Sequence, residues 1–317
     1  MNDASRVFWL KRTSENQSNV DTLYMPSFVP SSRRCALGEL FFELYDPIRD
    51  WVHERTRQGR AGLAVVAFDD NGIQAKGYLR SDENRVNSAI IGRHEKADIH
   101  LGDDVSLSLR HLAVLVSPAS DRNPMRVRVV DLRTASGFAD ERGTGIRACE
   151  AERPFVFRCG RYSILCAPVS VGDDSGWPDE PEVMWARLRG RDAASLAVSH
   201  PATLDDGLLY DGEEALGALV ISSEEGTGTI PVGRRAARSG ILLGRSDRCD
   251  GDTLLANPHI SRVHALIVEL AGSLYAVDTA SKNGVWGKHG EQRAQLLESG
   301  TKFSLCGLAQ IEWRFWH

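Results

Sequence analysis

The chain carries one run of motifs twice, and that repetition limits its folding more than any other feature. IIGRHEKADIHL at 90–101 matches LLGRSDRCDGDTL at 242–254, which sets Arg93 against Arg245, 152 positions later. SLRHLAVLV at 108–116 matches SRVHALIVE at 261–269, placing His111 against His264 at a spacing of 153. DLRTASGF at 131–138 matches DTASKNGV at 278–285, and Cys159-Gly160 matches Cys306-Gly307, both at a spacing of 147. Self-similarity of this kind predicts two copies of one fold. The fall from 153 to 147 places about six extra residues in the first copy, and SPASDRNP at 117–124 is rich enough in turn formers to be a lengthened hairpin.

Within each copy the apolar runs are short, β-branched and separated by turns: AGLAVVAF (61–68), HLAVLV (111–116), VRVVDL (127–132), ALVIS (218–222), HALIVEL (264–270) and SLYAVD (273–278). Many short strands at close spacing predict a β-sandwich per copy. The expected organisation is an N-terminal segment with helices (1–60), a first sandwich (61–168), a linker (169–215) and a second sandwich (216–317), so the fold class is all-β dominated with a partly helical linker. In 35–60, Leu37, Leu40, Phe41, Leu44, Ile48, Trp51 and Val52 recur at helical spacing. Asp46-Pro47 interrupts them, which predicts a short helix, a break and a second helix to about Arg57. The stripe is read first as core packed on the first sandwich, and second as a face for a partner. SVGDDSGWPDEPE at 170–182 has linker composition, and 181–200 is expected to form one helix.

A length of 317 residues suits about two domains with their own cores. The net charge of -5 argues against a general nucleic-acid binder. No uncharged apolar run reaches the length of a membrane span, and MNDASRVFWLKRTSENQ lacks the apolar centre of a signal peptide, so a cytoplasmic protein without membrane partners is expected. The six cysteines show no CxxC pair and no histidines at zinc spacing; they are read as reduced and mostly buried, with no metal site and no cofactor.

Three motifs in fixed order, LLGRS at 242–246, ISRVHALIV at 260–268 and DTASKNGVW at 278–286, make the second copy resemble the forkhead-associated (FHA) domain. That family is a β-sandwich that binds phosphothreonine peptides through loops at one end. The resemblance implies phosphopeptide-binding roles for Arg245, Ser261, Arg262, Lys282 and Asn283, and supporting roles for Gly244, His264 and Gly284. The chemistry agrees. A guanidinium can fork onto two phosphate oxygens, a serine hydroxyl can donate to a third, and an asparagine amide can bond an extended main chain in both directions. Asn283-Gly284 is also a type I′ hairpin pair, and both roles are expected together. Arg245 alone would be read as a surface ion-pair partner, and Arg262 equally as a solvated cation. Lys282 stands where many members of the family have threonine, so peptide preference is expected to differ.

The first copy keeps Gly92, Arg93, Ser108 and His111, but Ser136 aligns with Asn283, and its second cation would be Arg110. Two readings stay open for it: a weaker phosphopeptide site at Arg93, Ser108 and Arg110, or a platform for other contacts.

The function implied is an adaptor in serine/threonine kinase signalling that docks a phosphothreonine-containing protein, either the kinase or its substrate. The alternative is a phosphorylation-independent scaffold subunit of a larger cytoplasmic assembly. Enzyme activity is not expected, because Ser261 and His264 lie three residues apart with no orienting third group, and GTGTIPVGRR at 226–235 lacks the lysine of a phosphate loop. Thr203, followed by Asp206, is a candidate internal phospholigand.

Overall fold

A computed structural model describes residues 37–57, 61–82, 85–118, 124–140, 143–169, 177–189 and 215–316. Two sandwiches follow one another along the chain. In the first, a six-stranded sheet runs in the order 72–80, 62–69, 162–169, 155–159, 138–139, 145–146, and faces a five-stranded sheet ordered 99–100, 87–92, 112–116, 127–131, 148–151. The second repeats the six-stranded sheet as 226–233, 215–223, 309–315, 302–305, 285–287, 290–292, facing a four-stranded sheet 241–243, 265–270, 273–278, 294–296. Each has its own core between the sheets, built on Leu63, Val114 and Phe157 in one and on Leu219, Ile267 and Trp313 in the other.

The hairpin expected around 117–124 joins strands Leu112–Val116 and Val127–Asp131, with Val116 opposite Val127; residues 119–123 lie outside the described ones. Two expectations for the helices need correction or limits. Leu37–Thr56 is one continuous helix, α1, with Pro47 inside it, and not two helices with a break. Its buried stripe of Leu40, Phe41, Tyr45, Ile48 and Val52 packs on Ala64, Val66 and Phe68 of the first sandwich and on Met184 and Leu188 of a second helix, α2 (Pro181–Arg189). The apolar positions on both sides of Pro47 face the same sheet, so the packing holds the helix across a residue that cannot donate a hydrogen bond. The rest of the helix expected over 181–200, and Thr203, lie outside the described residues. No helix among the described residues is long and apolar enough to cross a membrane.

The two sandwiches also pack against each other. Ile90, Ala113, Leu115 and Val130 of the first form one buried cluster with Leu242, Leu266, Val268 and Val277 of the second. Ion pairs Arg133–Asp250 and Arg293–Asp98 flank this face, and Arg110 donates through Nε and Nη2 to the carbonyl oxygen of Ala280 at 3.1 and 2.5 Å.

Candidate functional site

Strand Ile241–Leu243 ends where its partner, Ala265–Leu270, begins, with Leu243 opposite Ala265. Beyond that point the two chains stay in contact as loops: Arg245 N–H donates to the Ser261 carbonyl at 3.2 Å and Ser246 N–H to the Arg262 carbonyl at 3.0 Å. Gly244 is required by this approach, since a Cβ there would lie 2.4 Å from the Arg262 carbonyl oxygen. Gly92 stands in the same relation to the Leu109 carbonyl oxygen, also at 2.4 Å.

His264 is fully buried and ties two loop segments together. Its Nδ1 accepts from Ser261 N–H at 3.1 Å, and its Nε2 meets the Gly284 carbonyl at 2.9 Å. A backbone N–H can only donate, so Nδ1 is unprotonated and Nε2–H is the donor to Gly284. Burial lowers its pKa from 6.5, against the raising pull of the Gly284 bond and of Asp278. Gly284 takes a left-handed φ of 73°, and a Cβ there would meet the Glu291 carboxylate.

The second-copy residues predicted from sequence gather around this brace. Ser261 Oγ accepts from Lys282 N–H at 3.0 Å, which leaves its own proton free to donate outward. Asn283 Nδ2 donates to the His259 carbonyl at 2.8 Å, so one end of the amide holds a loop, and the other, Oδ1, has no partner among the described residues. Arg245, Arg262 and Lys282 are exposed, and none has a carboxylate partner among the described residues.

The turn differs from expectation. Asn283-Gly284 is not a type I′ hairpin, which would need positive φ at both residues, because only Gly284 has it. The turn is held instead by Ser281, whose Oγ accepts from Gly284 N–H at 2.9 Å while its own N–H binds the Asp278 carboxylate. Trp286, 44% exposed, donates its indole N–H to the Asn283 carbonyl at 2.9 Å. The parts played by His259, Ser281 and Trp286 are not legible in the sequence: SKNGVW carries a turn signal but does not say which side chains close the turn.

The first copy repeats the brace. His111 is fully buried, accepts from Ser108 N–H at 3.0 Å and meets the Gly137 carbonyl at 2.7 Å. Its counterparts of the second-copy apex residues are held differently. Arg93 Nε donates to the Leu107 carbonyl at 3.1 Å, Arg110 crosses to the second sandwich, and Ser136 Oγ is buried without a partner. Arg93, Ser108 and Arg110 nevertheless line one cleft, of about 430 Å³, and the opposite wall of that cleft is Ser246, Arg248 and Arg262 of the second sandwich. Among the described residues no group of three or more His, Cys, Asp and Glu side chains could hold a metal ion.

The second sandwich thus has apex loops tied by a buried histidine, with exposed cations on the loops that carry the Ser261 hydroxyl. Residues 241–306 match the family model of the FHA domain, and the second sandwich is an FHA domain. Solved structures similar to this chain include the FHA-1 domain of Rv1747 from Mycobacterium tuberculosis, at 23% identity over 32% of this chain and 99% of that one, with a TM-score of 0.26. The FHA domain of the CT664 protein from Chlamydia trachomatis matches at 21% identity over 33% of this chain and 96% of that one, with a TM-score of 0.28. No curated protein matches the chain.

Proposed function

We propose that the second sandwich binds a phosphothreonine-containing segment of a partner protein, and that the chain is an adaptor in serine/threonine kinase signalling rather than an enzyme. The observation that carries this reading is the apex itself: Arg245 stands exposed with no carboxylate partner among the described residues, its N–H bonded to the Ser261 carbonyl, and the Ser261 hydroxyl accepts from Lys282 N–H while no described residue takes its proton. A dianionic group placed there would take two bonds from the guanidinium and one from the hydroxyl, with Lys282 and Arg262 adding screened attraction. Asn283 Oδ1 would accept from the peptide main chain. The serine and histidine cannot act as nucleophile and base, because His264 Nδ1 is engaged by the Ser261 backbone N–H and not by its Oγ.

A charge-assisted hydrogen bond contributes about 1.5–3 kcal/mol, so Arg245→Ala in the full chain weakens binding of a phosphothreonine peptide library by at least about tenfold. Ser261→Ala costs less. Equal affinities for wild type and Arg245→Ala would remove the assignment. A cytoplasmic kinase or its substrate is the proposed partner, and capture of that partner is lost on phosphatase treatment; a partner retained after treatment would favour the scaffold reading.

A further inference from the structure

The cleft between the sandwiches has a wall from each copy, and its charge is unbalanced. Four arginines line it: Arg93 and Arg110 from the first copy, Arg248 and Arg262 from the second. Against them stands one lining carboxylate, that of Asp247. Three of the four arginines are held by neutral groups. Arg93 donates to the Leu107 carbonyl, Arg110 to the Ala280 carbonyl and Arg248 to the Arg133 carbonyl. Arg262 has no side-chain partner among the described residues.

A carbonyl fixes where a guanidinium sits without cancelling its charge, so the arginines repel one another across the cavity. Burial lowers the pKa of Arg110; Asp278 raises it, and the charges of Arg262 and Arg248 lower it further. Each guanidinium that spends one or two N–H groups on a carbonyl keeps others for a ligand. The hydroxyl of Ser108 stands on the first-copy wall as a further donor, while that of Ser246, on the opposite wall, donates to the Asp247 carboxylate at 3.1 Å. A volume near 430 Å³ lies within the range of about 300–1,000 Å³ usual for ligand sites.

The cleft also adjoins the apex. Ser246 and Arg262 line it, and their chain neighbours Arg245 and Ser261 are the apex residues. Adjacent Cα atoms are about 3.8 Å apart, and an extended peptide advances about 3.3–3.6 Å per residue, so a peptide seated at the apex can reach the cleft within a few residues.

We infer that the inter-sandwich cleft is a second anion subsite, composite between the two copies, that takes a second phosphate of a doubly phosphorylated peptide whose first phosphothreonine occupies the Arg245 apex. It rests on the apex reading for the first phosphate. The first copy, whose Ser136 stands where the second has Asn283, then supplies half of a shared site in place of an independent one, through Arg93 and Ser108 on the cleft wall.

The test uses the full chain and a degenerate peptide library with one fixed phosphothreonine, made with and without a second phosphothreonine at every spacing within about ten residues. At one or a few spacings the second phosphate tightens binding by at least about tenfold, as two or more charge-assisted bonds require. Arg248→Gln and Arg93→Gln abolish most of that gain, and Arg248→Gln leaves the singly phosphorylated peptides bound as before. Equal affinity of singly and doubly phosphorylated peptides at all spacings overturns the subsite, whatever the variants do, and so does a gain that survives Arg248→Gln. If singly phosphorylated peptides bind wild type and Arg245→Ala alike, the apex reading fails and this proposal with it; if only the second-phosphate gain is missing, the apex stands and the cleft alone is lost.

Discussion

At the residue scale, His111 and His264 show how a motif read from sequence becomes a physical constraint. Each is buried, and burial holds each pKa below 6.5, against the raising effect of a carbonyl hydrogen bond to Gly137 or Gly284. The unfolded chain therefore takes up protons near pH 6.5 that the folded chain refuses until the pH is lower. Stability is full above about 6.5 and declines as pH falls from there through the folded value. Each histidine contributes a slope of at most about 1.4 kcal/mol per pH unit in that window. Urea unfolding followed from pH 7.5 to about 5.5, above the carboxylate range, should show the decline, and His264→Gln should make it shallower. An unaltered slope would mean that the imidazole is not held neutral. The sequence made this histidine legible through its place three residues after Ser261, and made Gly244 legible through the GR pair. It did not show the direction of Arg110, because nothing local to SLRH says that its guanidinium lies against Ala280 in the other copy.

At the scale of elements, strands were more legible than helices. The apolar runs at 61–68, 111–116, 127–132 and 264–270 all coincide with strands, since a β-branched run bounded by turn formers has few other uses. The sequence predicts two helices where α1 is one, because Asp46-Pro47 is a strong local signal for a helix start. Tertiary packing overrode it: Phe41 and Tyr45 before the proline, and Ile48 and Val52 after it, are buried in one cluster. Pro47 then occupies a helical interior where it can neither donate to the Glu43 carbonyl nor avoid crowding it. Its removal should help. A proline costs about 3 kcal/mol inside a helix, while restricting the unfolded chain returns about 0.4–1 kcal/mol, so Pro47→Ala should stabilise the protein by about 2 kcal/mol. A thermal midpoint that falls on this substitution would show that α1 bends at Pro47 to fit its sheet and needs the bend.

At the scale of the whole molecule, the two copies meet as halves of an isologous dimer would. Residues equivalent by the repeat, Ile90 with Leu242, Ala113 with Leu266, Leu115 with Val268 and Val130 with Val277, enter the same buried cluster from opposite sides. A signal for this was present in the sequence. A sandwich strand with one face in water alternates apolar and polar residues, whereas LAVLV at 112–116 and ALIVEL at 265–270 are almost continuously apolar, and every residue of both strands is buried. Alternate residues serve the sandwich core, and the others serve the contact between copies. What the sequence could not give is which surface covers those second faces, because that depends on the path of the linker. Leu266 tests the arrangement. It is fully buried, and a Cβ on Gly240 would lie 2.8 Å from both its Cδ1 and Val130 Cγ1, so the first copy closes over it. An aspartate there would bury a carboxylate among aliphatic side chains, a cost the chain can escape by separating the copies and hydrating the group. Wild type should melt as one calorimetric transition, since neither sandwich can unfold without exposing the other's face. Leu266→Asp should melt as two, with the arginine-lined cleft lost before either core. A single transition at an unchanged temperature in Leu266→Asp would mean that the copies do not share this face.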